Sequence, residues 1–344
     1  MNTSQDLLDL NIGVVGAGSW GTALANLLAT KGYGIDLWVF EEDICRQMCD
    51  TRENTVFLPD IRLSENLRPT TDLRRAVQGK DLVLIVVPSH VMRQVARQMA
   101  PDIGPQAIVV SASKGVENET QLTMSAVLKE SLENLSDQRL AVLSGPSFAR
   151  EVAKGYPTVI TVASANIECA QQVQHAFATP GFRVYTNNDV MGVELGGSVK
   201  NVIAIAAGII DGLGLGLNTR AALITRGLTE IRRLGLALGA NPRTFTGLAG
   251  MGDLVLTCTG DLSRNHTVGS KIGQGMKLDD VLAEMRMVAE GVKTARSVYN
   301  LSRRLEVEMP IVNAVYLILY EGLAPKDAVY QLMTRDLKNE LDEE

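Results

Sequence analysis

Three short groups of residues in this 344-residue chain have types and spacings suited to chemistry. The first is Gly16-Ala17-Gly18-Ser19-Trp20-Gly21, which directly follows the apolar run Ile12 to Val15 and leads at once into the helix-forming Thr22-Ala23-Leu24. In such a strand-to-helix turn Gly16 makes the tight bend, Gly18 lets a pyrophosphate approach the backbone, and Gly21 lets the helix pack close to the strand. The helix start adds free N–H donors and a positive dipole end. Between a strand and a helix, inside a repeating β/α unit, the spacing reads as a dinucleotide-binding turn. About 20 residues beyond it an acid is expected to read a ribose hydroxyl. Glu41 stands near that place and would favour NAD, whereas a cation there would favour the 2'-phosphate of NADP. Phe40 can offer only a ring face or edge, suited to adenine. Lys31, Arg46 and Arg52 are close by, each equally readable as a solvated charge, so NAD and NADP both stay open.

The second group is a pair of lysines. A dehydrogenase needs a side chain that takes the hydroxyl proton as hydride leaves, and the only histidines, His90, His175 and His266, lie far apart. Lysine can serve when burial or a neighbouring cation lowers its pKa. Lys114 follows the apolar run Ile108 to Ser111, at the carboxyl edge where open α/β sheets place ligands. Lys200 begins a stretch rich in Val, Ile, Ala and Gly, and shares its face with Ala204, Ala207 and Asp211. That pattern fits a proton-transfer lysine, or a structural lysine snorkelling to a helix end.

The third group is a pair of segments. In the glycine-rich run ending at Asp253, the acid and Thr257 share a face if a helix starts there, although an N-cap aspartate is the plainer reading. Ser263-Arg264-Asn265 joins a guanidinium to short hydrogen-bonding side chains, suited to a phosphate monoester. His266 reads as a packing or hydrogen-bonding residue, and Cys258 as a small buried filler with no adjacent base.

Elements must hold these groups in place. Ile12 to Val15, Ile35 to Val39, Leu82 to Val87, Ile108 to Ser111, Ala141 to Leu143, Val159 to Val162 and Phe182 to Thr186 predict buried strands. Between several of them lie helical patterns such as Thr22 to Thr30 and Met92 to Met99. After them the periodicity becomes helical, over Gly192 to Ile210, Arg220 to Leu238, Leu278 to Ala289, Lys293 to Arg304 and Pro310 to Glu321. The polar Asn187 to Met191 can cap the first of these helices and marks the boundary. The fold class is therefore α/β: an N-terminal Rossmann-type, doubly wound, mostly parallel sheet over residues 1–190, followed by an all-α domain over 191–340. The length agrees, since domains run to about 150 residues each.

Composition narrows the function. With 46% hydrophobic and 21% charged residues the chain is an ordinary globular protein. Its 33 basic against 39 acidic residues, a net charge of -6, lack the basic footprint that nucleic acid demands. Met1 to Asn11 carries aspartates and no basic residue, which fits no secretory leader and predicts a cytoplasmic chain. The apolar run Val202 to Ile210 is too short to cross a bilayer, for which about 20 residues are needed. The four cysteines match neither a disulfide framework nor zinc spacing and read as reduced residues; no metal site is expected. The acidic end, Glu340 to Glu344, reads as a solvated tail.

Taken in order, Gly16-x-Gly18-x-Trp20-Gly21-Thr22, Phe57-Leu58-Pro59, Val87-Pro88-Ser89, Ser113-Lys114-Gly115, Leu143-Ser144-Gly145-Pro146-Ser147-Phe148-Ala149, Val199-Lys200-Asn201, Gly250-x-Gly252-Asp253-Leu254 and Ser263-Arg264-Asn265 resemble the bacterial-type NAD(P)-dependent sn-glycerol-3-phosphate dehydrogenases across almost the whole chain. The resemblance implies reversible hydride transfer between dihydroxyacetone phosphate and sn-glycerol 3-phosphate, the step that supplies the glycerol backbone of phospholipids. It implies Lys200 as proton donor and acceptor, Lys114 as its partner at the substrate oxygen, and Asp253 to orient or compensate them. By the same resemblance Ser19, Trp20, Lys114, Ala149, Arg264, Val288 and Glu290 match coenzyme-contacting positions. Lys114, Gly145, Ser147, Lys200, Asp253, Ser263, Arg264 and Asn265 match positions that hold the glycerol phosphate. Phe40 departs from the Arg or His usual there, and Ser147 replaces a more familiar Thr but keeps the hydroxyl. A homodimer is the expected assembly. Two other readings compete: a β-hydroxyacid dehydrogenase of the 6-phosphogluconate type, and a non-catalytic NAD(H)-binding redox sensor.

Overall fold

A computed structural model describes residues 10–285 and 287–340, so the expectations for the first nine residues and for the acidic end beyond residue 340 lie outside the described residues. The strands are β1 (Ile12–Val15), β2 (Ile35–Trp38), β3 (Glu53–Asn54), β4 (Leu58–Arg62), β5 (Leu67–Thr70), β6 (Leu82–Ile85), β7 (Ile108–Ser111), β8 (Leu140–Ser144), β9 (Thr158–Ala163) and β10 (Phe182–Asn187). Eight of them form one sheet in the order β10-β9-β8-β7-β6-β1-β2-β5, while β3 and β4 pair separately. Every strand expected from the sequence is present. All neighbours in the large sheet run parallel except β8 and β9, which are antiparallel.

The chain runs from β1 outward through β2 to β5, then crosses back to β6 on the other side of β1. Ligands of open α/β sheets bind in the crevice at such a reversal, beyond the carboxyl ends of the strands. β1 is buried throughout, as are β2 and β6, because helices cover both faces. On one face Leu24 and Leu28 pack with Leu37, Leu84 and Phe177; on the other, Val83 and Ile85 pack with Val77, Met92 and Val127. β5 escapes the periodicity because it is short and contains Pro69, which only an edge strand tolerates.

Beyond β10 the described residues form helices. The long helix Val190–Gly212 opens at Asp189, whose carboxylate accepts from Gly192 N at 2.9 Å and from Asn241 N and Thr244 Oγ1 at 2.9 and 2.6 Å. The cap foreseen at Asn187 to Met191 therefore forms through Asp189. This helix is long and apolar enough to span a membrane, yet the apolar window is wholly buried inside the fold. The helix Arg264–Gly273 crosses it at backbone distance: a Cβ on Gly208 would collide with His266 O, and one on Gly269 with Ile205 O. One expectation fails here. The helix proposed over Leu278 to Ala289 stops at Ala283, because the segment beyond it is pinned by the cleft, with Val288 O accepting from Arg264 Nη1 at 2.7 Å.

Glu230, buried on the helix Gly216–Ala237, accepts from Ile311 N at 2.7 Å and Val312 N at 3.1 Å, the open N–H groups at the start of the helix Pro310–Tyr320. Burial pushes its carboxyl up to about 7, against the pull of those N–H groups and of Arg233 and Arg226. Its stabilising contribution is thus greatest below the ordinary carboxylate range and is lost as the pH rises through about 7. Glu230→Ala leaves two buried donors unsatisfied and should cost about 2–4 kcal/mol at pH 6. The loss in urea midpoint should be smaller at pH 8; an equal or larger loss there refutes this account.

Candidate active site

Lys200, Lys114 and Asp253 meet at one point. Asp253, 1% exposed, presents Oδ1 to Lys200 Nζ at 2.6 Å and Oδ2 to Lys114 Nζ at 2.7 Å. Lys200 also donates to Thr257 Oγ1 at 2.5 Å, and Thr257 Oγ1 in turn donates to Asp253 O at 2.6 Å. An ammonium has three N–H donors, so Lys200 keeps one for a ligand and Lys114 keeps two. Lys200 is buried, which rules out the snorkelling alternative. Asp253 is the first residue of the helix Asp253–Thr259, but its carboxylate faces the lysines and the N-cap is Gly252, so the capping alternative also fails.

Each partner is delivered by a different element. Lys114 lies just past β7, with Ser113 Oγ tied to Val87 O at 2.7 Å past β6. Lys200 lies mid-way along the long helix, where every residue from Gly192 to Ile210 is buried. A glycine of the helix, Gly196, lets the segment before Asp253 come close, since a Cβ there would collide with Ala249 O, and Gly250 lets that segment turn tightly on itself, since a Cβ there would collide with Phe245 O. Burial is the main reason that the Lys200 ammonium is pushed down to about 8; the Lys114 charge lowers it further, and Asp253 and Cys258 oppose the fall. Cys258 is buried, its thiol pushed up to about 12 chiefly by desolvation, which suits a filler and not a nucleophile.

The remaining predicted residues lie on several other segments. In the glycine turn a Cβ on Gly16, which has φ +110°, would lie 2.5 Å from Val86 O, and one on Gly21 would collide with Gly16 O. Gly18 alone meets nothing within 4 Å, so the space beside it is open. Trp20 Nε1 is buried without a partner. An open approach beside Gly18, a helix N-terminus and an orphaned donor fit a dinucleotide pyrophosphate. Ser19 Oγ donates to Phe57 O at 2.5 Å and contacts Met287 Sδ at 3.3 Å, which brings the segment leading to Val288 over the turn. Glu290 Oε2 accepts from Ser89 Oγ at 2.6 Å and its Oε1 from Ser89 N at 3.2 Å; burial raises its carboxyl above the usual range.

Gly145, at φ +144°, and Ser147, whose Oγ donates to Gly145 O at 3.0 Å, sit beside Gly252, where a Cβ would touch Pro146 at 3.6 Å. Ser263 caps the helix Arg264–Gly273 by accepting from His266 N at 3.3 Å. That helix start leaves N–H donors without intrahelical partners, and Arg264, its first residue, donates from Nη1 to Val288 O at 2.7 Å. Asn265 is occupied internally, donating to Asn201 Oδ1 at 3.0 Å and accepting from Gly291 N at 2.9 Å. His266 hydrogen-bonds Asp211 at 2.8 Å, as a packing residue would.

Phe40 stands apart, 75% exposed past the end of β2, with its ring edge-on to Trp38 at 6.0 Å. Ala149 opens a short helix against Ala23 and Leu58. Of the three nearby cations, Lys31 donates to Ala176 O at 3.0 Å and Arg52 to Ser64 O, both away from β2, while Arg46 is exposed. Sequence reasoning missed Asn54, whose Nδ2 holds Ala17 O and Thr22 Oγ1 at 2.9 Å and so braces the glycine turn. It also gave no role to Ser89; a serine after a proline at the carboxyl edge of the sheet was the available signal.

A family model described as the NAD-dependent glycerol-3-phosphate dehydrogenase N-terminus matches residues 11–170, and its C-terminal counterpart matches residues 189–330. The chain belongs to this family. It is 60% identical over 329 residues to a glycerol-3-phosphate dehydrogenase (NAD(P)+) of Geobacter sulfurreducens, covering 96% of this chain and 98% of the relative. Another from Syntrophobacter fumaroxidans is 56% identical over 331 residues, covering 96% and 97%. The crystal structure of a glycerol-3-phosphate dehydrogenase from Coxiella burnetii superposes with a TM-score of 0.92 at 41% identity, covering 95% of this chain and all of that one. Membership in the dehydrogenase family leaves the β-hydroxyacid alternative without support.

Because a Cβ at Gly18 meets nothing, Gly18→Val should fold with little change in Tm while weakening NADH binding at least about ten-fold in a fluorescence titration. Unchanged affinity would remove the turn from the coenzyme site.

Proposed function

We propose that this chain catalyses reversible hydride transfer between dihydroxyacetone phosphate and sn-glycerol 3-phosphate with NAD or NADP. The observation that carries the reading is the Asp253 carboxylate held between the Lys114 and Lys200 ammonium groups, in a chain that also carries the glycine turn after β1. The nicotinamide coenzyme, when bound, supplies or accepts the hydride; Gly16, Gly18, Ser19, Trp20, Gly21 and Phe40 on the sheet side, with Lys114, Ala149, Arg264, Val288 and Glu290, would hold it.

In reduction the free N–H of Lys200 points at the ketone oxygen, stabilises the negative charge that grows there and then passes its proton to it. Lys114 donates to the same oxygen or its neighbour, and Asp253 keeps both amines oriented. Arg264, with Ser263, the Asn265 Nδ2 hydrogen not given to Asn201 and the N–H groups of that helix start, takes the phosphate, while Gly145 and Ser147 line the other wall. Anchoring the phosphate fixes the carbonyl in an attacking geometry, which is where much of the rate arises. The same reading extends to a dinucleotide-binding part over residues 1–190 and a helical part over 191–340, to a cytoplasmic setting and to a homodimer.

Dihydroxyacetone phosphate reduction assayed with NADH and NADPH in parallel tests the whole reading, and absence of turnover with both defeats it. Lys200→Ala should lower kcat about 10²–10⁴-fold with coenzyme affinity nearly unchanged. Asp253 would retain Lys114 as a partner, so the variant should fold. The parent's reduction rate should fall as the pH rises through about 8, where Lys200 loses its proton, and the oxidation rate should rise over the same range. A pH-independent rate from 7 to 9 contradicts the role of Lys200. Arg264→Ala should raise KM for dihydroxyacetone phosphate far more than for dihydroxyacetone; equal losses for both ketones contradict phosphate recognition.

A further inference from the structure

Ser198 is buried on the long helix, two residues before Lys200. Its Oγ accepts from Gly115 N at 2.9 Å and donates to Gly115 O at 3.2 Å. Gly115 directly follows Lys114 in the chain. A single side chain thus satisfies both backbone polar groups of the residue next to one lysine, from the helix that carries the other.

The loop has no slack on its opposite side. Gly115 adopts φ +144°, a conformation that side chains rarely reach, and a Cβ there would lie 2.5 Å from Ser89 Cβ and 2.8 Å from Ser89 Oγ. Ser89 is itself fixed by its two hydrogen bonds to Glu290. Ser113, on the other flank of Lys114, is tied to Val87 O. Lys114 is therefore held from both neighbours, and among the described residues it is the Ser198 hydrogen bonds that tie its backbone neighbour to the Lys200 helix, beside the packing of Val116 in the same core. The tip contact through Asp253 cannot replace this, because a lysine stem carries four rotatable bonds and a loose loop would let the ammonium drift.

We propose that Ser198 is a positioning residue that clamps Gly115 to the long helix and thereby sets the spacing between the Lys114 and Lys200 ammonium groups. The proposal rests on the reading of these two lysines as the reacting pair. It has an electrostatic consequence. The charges facing Lys200 are Asp253 and Lys114, with the Cys258 thiol beside them, and of these only Lys114 lowers its proton affinity. Slackening the clamp moves Lys114 away and lets Lys200 hold its proton to higher pH.

The test uses the full chain with dihydroxyacetone phosphate and NADH. Ser198→Ala should lower kcat about 10–100-fold, the scale of a misplacement near 1 Å, leave the NADH dissociation constant within about two-fold, and move the alkaline limb of reduction to higher pH. In a Lys114→Ala background the added Ser198→Ala should change kcat less than about two-fold, because the two substitutions act through one group. If Lys114→Ala is crippled while Ser198→Ala keeps parental kcat and pH profile, the clamp is overturned and the lysine reading stands. If Lys114→Ala turns over like the parent, both are overturned. Additive losses in the double variant also overturn the clamp. Should Ser198→Ala not fold, Ser198→Cys fills the same site with a weak hydrogen-bonding group, and parental kinetics in that variant refute the proposal.

Discussion

The Asp253 carboxylate is shut away from water and shared by two ammonium groups that approach it from different parts of the chain. None of the three charges is tolerable there alone. A carboxylate buried in such a place needs partners, and the two lysines without it would face each other as like charges. Removing one member of a buried ion pair typically costs about 3–5 kcal/mol, so the loop after β7, the long helix and the helix Asp253–Thr259 are bound into one assembly by this point. The assembly carries one net positive charge. That excess is what a reaction generating an alkoxide needs, and it exists before any ligand arrives, so little rearrangement is required when charge develops.

The surrounding structure makes this point reachable. Glycines at 208 and 269 let two helices cross at backbone distance, which carries Ser263, Arg264 and Asn265 alongside the Lys200 helix. Asn265 then bridges Asn201 on that helix to Gly291, at the start of the helix Glu290–Arg304. From there Glu290 reaches Ser89 past β6, and the segment before it covers Ser19 through Met287. The glycine turn and the start of the helix Arg264–Gly273 are thus joined by a short chain of contacts. These links run from the helix Arg264–Gly273 to the glycine turn without passing through the lysine cluster.

What the sequence made legible was whatever depends on local pattern. Buried strands are short apolar runs, and the three glycines of the turn do three separable things, each visible in what a side chain would meet at Gly16, Gly18 and Gly21. Lys200 stood out because its helical face is otherwise small and apolar, and Asp253 and Thr257 do share a face. Long-range contacts were less readable. Ser89 meets a residue 201 positions away and Ser198 one 83 positions away, and neither local setting hints at the partner. The expected helix through Ala289 is cut short for the same reason, since contacts to Arg264 and Ser19 outweigh a modest helical preference. The two alternatives left for Lys200, an acid or a snorkelling stem, differ only in burial, which one-dimensional periodicity does not report.

The proton affinity of Lys200 shows why the cluster has this membership. Burial alone would strip the lysine of its proton and leave nothing to donate, and Lys114 pushes the same way. Asp253 opposes both, and the outcome is an amine poised at about 8 instead of its ordinary 10.5. An amine at 10.5 would still protonate an alkoxide but would almost never be free to act as a base near neutrality; one far below neutrality would be a base only. A group serving both directions of one reaction works best near the ambient pH. With no histidine hydrogen-bonded to Lys200, Lys114 or Asp253 among the described residues, the balance of one carboxylate against burial and a second cation brings a lysine towards the range in which an imidazole titrates.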